Sequence, residues 1–416
     1  MTRAVVVGGG LAGLAAARRL ADRDVDVMLF ERRDEVGGRV RSTREDGFVY
    51  DRGFQVLFTA YPSVRSELDL SALALRSFAP GATIARPGHR STLSDPIRDP
   101  RSLFPTLASG DASLPDKLRV ARLRRELRRT DEREILDGDD RTIREYLRRR
   151  GFSDRFVEHF AAPLYGGITL DRSLSTSSVV FEYTFRAMAT GKIAVPADGM
   201  GAIPAQLAET ARDAGATVET DATVESVATT GDEATVTVGD ETITADAVVV
   251  ATDPPTARDL TGVAAVPTEG RGCVTQYFAA PERRTLDTGR RLLLNAADDR
   301  PNHVAPLSAV APEYAPDGRQ LFAATFLGTP DASEEALADS VRQALSSWYP
   351  KHRFDDLTLR HTARVAFAQF AQPPGFRATL PTVDAPDGPV YLAGDYTQWS
   401  SIHGALTSGR VAAERV

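Results

Sequence analysis

The opening segment, AVVVGGGLAGLAAARRLADRDVDVMLFE over residues 4–31, sets an apolar run, spaced glycines, an alanine-rich stretch, a second apolar run and an acid in one order. That order reads as strand, tight turn, helix and second strand. Gly8 permits the turn, Gly10 lets backbone approach a pyrophosphate, and Gly13 lets helix and strand pack closely. The N–H groups of Leu11, Ala12 and Gly13 open the helix, where unpaired donors favour an anion. Glu31 ends the second strand 18 residues after Gly13, where a carboxylate can accept hydrogen bonds from a ribose. A bare glycine triplet would fit a structural turn equally well, but with all five parts in register the segment points to a dinucleotide.

Residues 32–40 read RRDEVGGRV. Two glycines let the chain pass close to a ligand, and a guanidinium pairs with phosphate oxygens as a fork; a glycine turn with a solvated arginine is the plainer alternative. Here the sequence resembles the flavin-containing amine oxidase superfamily, in which this stretch follows the Rossmann unit and its arginine approaches the FAD pyrophosphate. The resemblance implies FAD, held non-covalently, and adds Arg32, Gly37, Gly38 and Arg39 to the cofactor candidates.

Residues 51–70, DRGFQVLFTAYPSVRSELDL, resemble plant-type phytoene and zeta-carotene desaturases, in which the loop runs beside the isoalloxazine ring. Gly53, Phe54 and Gln55 are the implied positions. Phe54, Val56 and Phe58 also fit alternate positions of a core strand. Residues 195–227 return to an α/β pattern, and the family's adenine contact maps onto Val224. A hairpin is expected around residues 235–244 and a strand at 247–251. Gly199 and Gly201 precede Pro204 and follow no expected strand, so they form no second Rossmann fingerprint. Electrons are then expected to leave to oxygen, a quinone or another acceptor.

The chain closes on VYLAGDYTQWSSIHGALTSGRVAAERV, which matches the superfamily's terminal FAD motif. The match implies that Asp395 accepts from the ribityl chain, with Gly394 allowing close approach. It also implies that a helix starting at Ile402 and His403 faces the flavin N1 and C2 carbonyl, where a helix dipole favours reduction by about 1 kcal/mol. Gln55, Trp399 and Tyr396 are candidates for walling the substrate channel, the flavin itself carrying the reaction.

A length of 416 residues at about 150 per domain suggests two or three domains. The expected fold is α/β, a Rossmann-like FAD-binding domain of the glutathione reductase and amine oxidase type with an inserted α+β substrate domain. Residues 1–80, 191–261 and 371–416 would form the first, and 81–190 with 262–370 the second. Helices are expected at 114–129, 142–150, 155–160 and 334–348, and strands at 276–280, 292–295 and 321–327. A net charge of −7 argues against nucleic acid as partner. One cysteine, Cys273, excludes an internal disulfide and a cysteine metal cage, and no metal site is read. With no apolar run near the ~20 residues of a membrane span and no signal peptide pattern, the expected location is the cytoplasm. An arginine run from Arg119 to Arg150, on a helix with Leu118, Leu123 and Leu127 on one side, could lie on anionic lipid or be a solvated face.

The residues leave four functions open: desaturation of an apolar, isoprenoid-like substrate, oxidation of an amine or porphyrinogen, redox-neutral isomerisation, and flavin binding without turnover. Many amine-oxidising relatives hold a lysine near flavin N5 from a substrate-domain strand. The corresponding residues 272–278, GCVTQYF, contain none. Of the three lysines, Lys117, Lys192 and Lys351, only Lys192 could point inward. His303, His352 and His361 are scattered and read as structural or solvated.

Overall fold

Strand Arg3–Val7 buries Ala4 and its three valines and pairs in parallel on both sides, with Asp26–Phe30 and with Ala247–Val250. Thr217–Glu219 and Val390–Leu392 extend it to five strands, in the order Thr217–Glu219, Asp26–Phe30, Arg3–Val7, Ala247–Val250, Val390–Leu392. A parallel sheet is covered on both faces, which is why its strands read as continuous apolar runs. Its strands come from the beginning, middle and end of the chain. Helix Leu11–Ala21 covers one face with Leu14, Ala15, Ala17 and Leu20. The final helix, Ile402–Arg415, lies against it at Gly409, where a Cβ would sit 2.1 Å from the Ala12 carbonyl oxygen. The computed structural model describes residues 2–95, 98–99, 105–106 and 109–416.

A second sheet of seven strands runs Thr358–Phe370, Gly270–Pro281, Arg319–Leu327, His303–Ala305, Leu292–Asn295, Ala82–Arg86, His89–Leu93. All its pairs are antiparallel except Leu292–Asn295 with Ala82–Arg86. Helix Glu334–Trp348 packs Leu337, Val341, Leu345 and Trp348 against Val274, Phe278, Phe322 and Phe326 on one face. Alternate residues of a strand face opposite ways, so Cys273, Thr275 and Tyr277 look toward residues 51–54 instead. The Phe54 N–H donates to Thr275 Oγ1 at 3.2 Å and the Tyr277 hydroxyl to the Asp51 carbonyl at 2.7 Å. Strand Gly270–Pro281 thus faces the helix-covered core on one side and the segment of residues 51–54 on the other.

Three expectations change. The core strand suggested by Phe54, Val56 and Phe58 reduces to Leu57–Phe58, because residues 53–56 form a loop across the second sheet. Gly199 and Gly201 do lie between a strand, Ile193–Val195, and a helix, Ala202–Asp213; that strand pairs antiparallel with Leu57–Phe58 and Arg76–Ser77, so no parallel nucleotide unit results. In helix Leu114–Leu127, Leu123 and Leu127 are buried while Leu118 is 64% exposed. Five residues of helix rotate about 140°, which puts Leu118 on another face. Part of the arginine run is ion-paired, Arg150 to both oxygens of Glu126 at 2.7 Å and Arg124 to Asp95 at 2.9 Å. Among the described residues no helix is long and apolar enough to cross a membrane.

Candidate functional site

Of the fingerprint glycines Gly8, Gly10 and Gly13, two are fixed by sterics and one by what it leaves open. Gly8 has φ +107°, and a Cβ there would lie 2.8 Å from the Ala251 carbonyl oxygen. A Cβ on Gly13 would lie 2.0 Å from the Gly8 carbonyl oxygen. Around Gly10 nothing lies within 4 Å of such an atom, and Gly10 caps helix Leu11–Ala21 with no side-chain hydrogen bond. The open side of the turn is therefore a helix N-terminus with bare N–H groups, a cradle for phosphate. The second glycine stretch closes over it: the Gly37 N–H donates to the Gly9 carbonyl at 2.8 Å, and a Cβ on Gly38 would be 3.5 Å from Gly10 Cα.

Glu31 is buried and braces this turn, accepting from the Gly9 N–H at 2.8 Å and the Arg33 N–H at 3.1 Å. The motif implies a ligand role alone; the backbone donors show a structural role beside it. Val224 opens strand Val224–Thr230 next to the same acid, because the Ala222 N–H donates to the Glu31 carbonyl at 2.9 Å. Arg32 points outward, exposed and paired with Asp253 at 3.3 Å, so its side chain does not join the cradle.

Arg39 and Asp395, 356 residues apart, meet as a two-pronged ion pair at 2.6 and 3.1 Å. Ser400 Oγ donates to the same carboxylate at 2.8 Å. The pair ties the N-terminal glycine stretch to the C-terminal motif, each being the other's partner where the resemblance assigned each to FAD. Gln55 Nε2 donates to the Arg39 carbonyl at 2.9 Å, while its Oε1 is buried with no partner among the described residues. An acceptor stranded this way beside Arg39 suits a ligand donor, since leaving it unpaired costs about 1–3 kcal/mol.

Tyr396 is corrected from channel wall to core. A Cβ on Gly394 would sit 2.1 Å from its ring, and its hydroxyl bonds the Val250 and Ala393 carbonyls at 3.3 and 3.2 Å. Trp399 instead joins Tyr61, Tyr183 and His403 in an aromatic cluster with centroids 5.2 to 6.1 Å apart. The N-cap of helix Ile402–Arg415 is Ser401, whose Oγ accepts from the Gly404 N–H at 2.8 Å. His403 Nδ1 accepts from the Ser63 N–H at 3.4 Å, its Nε2 faces the Tyr183 hydroxyl at 3.0 Å, and burial pushes its pKa down to about 4. Tyr183 enters the site from a segment with no local signature, while Tyr61 lies in the desaturase-like segment 51–70, which names no role for it.

Beyond the loop, Phe54 packs edge-on against Phe78 and His303, 6.1 and 5.1 Å away. His303 is buried rather than solvated. An Asn302 amide N–H donates to its Nδ1 at 3.1 Å, which leaves the ring proton on Nε2, and burial pushes its pKa down to about 4. Asp51, in the desaturase-like loop, carries no local signature of a role. It is buried and accepts from Ser42 Oγ at 2.6 Å, the Met200 N–H at 2.8 Å and the Tyr314 hydroxyl at 2.9 Å. Burial outweighs these donors and raises its pKa to about 6. Lys192 is exposed on the surface.

The family model described as flavin containing amine oxidoreductase matches residues 11–416. The chain belongs to this family. Membership makes it a flavoprotein, and the open turn at Gly10 with the stranded Gln55 oxygen fits a bound flavin dinucleotide. The flavoprotein is 29% identical to protoporphyrinogen oxidase 2 of Arabidopsis thaliana over 166 residues, 40% of this chain and 32% of the relative. It is 43% identical to a 15-cis-phytoene desaturase of Synechococcus elongatus over 63 residues, 15% of this chain and 13% of the relative. It thus spans about a third or less of the length of these relatives. An oxidoreductase structure from Methanosarcina mazei superposes with TM-score 0.78 at 19% identity, covering 99% of this chain and 100% of that one, which speaks to the fold.

Proposed function

We propose that this flavoprotein is an FAD-dependent oxidoreductase that removes hydride from a C–H bond of an apolar, isoprenoid-like substrate. FAD, when bound, supplies the hydride acceptor. The chain's own residues hold the pyrophosphate at the turn of Gly8 to Gly13, brace it through Glu31, and keep water from the Gly53–Gln55 loop with aromatic side chains. The observation that carries the reading is the surface facing that loop from strand Gly270–Pro281. It presents Cys273 and Thr275, both buried, where amine-oxidising relatives present a lysine, and the neighbouring His303 is held neutral. A neutral, largely apolar surface suits a substrate without a basic nitrogen. Simple amines are accordingly expected to fail: benzylamine or spermine mixed anaerobically with the enzyme should leave the flavin absorbance unbleached over minutes, and bleaching within seconds would move amine oxidation to first place.

Porphyrinogen oxidation is the second reading, favoured by the longer local match, 166 residues against 63. A screen of polyenes and porphyrinogens under anaerobic conditions separates the two: an added double bond supports the first, a fluorescent tetrapyrrole product the second. Oxygen or a quinone is the proposed electron acceptor.

Non-covalent FAD is expected from the same surroundings. Burial pushes the Cys273 thiol up to about 11, so it stays protonated and a poor nucleophile at neutral pH. Acid precipitation should leave yellow supernatant whose chromatography shows FAD and no FMN. Flavin that stays with the pellet would contradict this.

A further inference from the structure

A cleft of about 650 Å³ opens on the surface where helix Leu114–Leu127 faces the chain around Thr59 and Gly191. Five cationic side chains line it, Arg65, Arg98, Arg124, Arg128 and Lys192, and its described lining contains no carboxylate. Such convergence stands out in a chain with net charge −7. Arg98 is held in place by its own donors, which reach the Met188 and Gly191 carbonyls at 2.6 and 2.5 Å. Arg65 Nε donates to the Thr59 carbonyl at 2.9 Å, and Arg124 pairs with Asp95 just outside the lining at 2.9 Å. Arg128 and Lys192 make no ion pair among the described residues. The crowding is unfavourable to its own members: the pKa of Arg98 is lowered by burial and by the nearby Arg124 and Arg128 charges, against which Asp95 offers partial relief. Thr59, Ser77 and Thr190 add hydroxyl groups to the same lining.

We propose that this cleft is a binding site for a multiply charged phosphate group, either a free phosphate ester or diphosphate or the headgroup of a phospholipid. Guanidinium forks match phosphate oxygens two at a time, and lysine adds a mobile point charge. One carboxylate against five cations leaves about four positive charges to neutralise, more than a single substrate carboxylate supplies. The lipid source is raised by Leu114 and Leu118, 61% and 64% exposed on the same helix.

The test uses flavin-loaded protein, so that the glycine turn is filled. Inorganic pyrophosphate is titrated calorimetrically at low salt. In parallel, the protein is sedimented with phosphatidylcholine vesicles with and without phosphatidic acid, whose phosphomonoester headgroup can carry two negative charges. The comparison is the double variant Arg128→Glu/Lys192→Glu, whose native side chains are exposed; its flavin content and thermal midpoint should match the parent. Pyrophosphate binding that weakens with salt and drops about tenfold or more in the variant supports the free-phosphate source. Sedimentation with the anionic vesicles alone, lost in the variant, supports the headgroup source. Absence of both, or binding that the variant leaves unchanged, overturns the proposal.

Discussion

Gly13→Ala should abolish flavin binding by breaking the fold around the turn, whereas Gly10→Leu should abolish it with the fold intact. The difference lies in what the new Cβ meets. At Gly13 it lands 2.0 Å from the Gly8 carbonyl oxygen and 3.1 Å from Ala251 Cβ, so backbone must move, and helix Leu11–Ala21 must separate from the strand it packs on. Overpacking of this kind costs about 1–3 kcal/mol or more, and it falls on the central strand of the five-stranded sheet. At Gly10 nothing lies within 4 Å, so a leucine fills space that only a ligand would use. Circular dichroism, thermal midpoint and flavin content on both proteins check the contrast. A flavin-replete Gly10→Leu protein would show that the cofactor does not lie over this turn.

Asp51→Ala should cost several kcal/mol, and Asp51→Asn should change the pH dependence of stability while keeping the structure. Alanine strands the Ser42 hydroxyl, the Met200 N–H and the Tyr314 hydroxyl, at about 1–3 kcal/mol for each buried donor left unpaired. Asparagine can still accept from Ser42 and Met200 through Oδ1 and can donate to the Tyr314 oxygen, as the protonated acid does. The folded pKa of about 6 lies above the ordinary 3.8, so between these values the folded chain binds more proton than the unfolded one. The contribution is fully present below about pH 3.8 and is lost as pH rises through about 6. It amounts to about 3 kcal/mol. Denaturant midpoints of parent and Asp51→Asn should therefore diverge between pH 4 and 7, the asparagine variant gaining relative to the parent as pH rises. A difference that stays flat across that range would mean Asp51 titrates normally.

Much of the site was legible where the requirement is local. Gly8 and Gly13 announce themselves because a positive φ or a 2 Å approach excludes every other side chain, and that constraint sits within six residues. Leu292–Asn295 and helix Glu334–Trp348 could be read with their boundaries for a similar reason, since an apolar run and a 3.6-residue periodicity are properties of neighbouring residues. The same local logic misplaced Leu118, because its apolar character was read without the rotation that separates it from Leu123.

What tertiary structure alone decided involves partners far apart in the chain. Asp51 becomes a buried hub through Ser42, Met200 and Tyr314; Arg39 finds Asp395 from the other end of the sequence; Tyr61, Tyr183, Trp399 and His403 stack from three segments. Tyr396 moved from channel to core for the same reason, its hydroxyl being claimed by Val250. Spacing along a chain specifies backbone conformation, but burial, pairing and pKa depend on which distant segment completes a side chain's surroundings. Here that completion waits on the first, middle and last segments assembling into one parallel sheet.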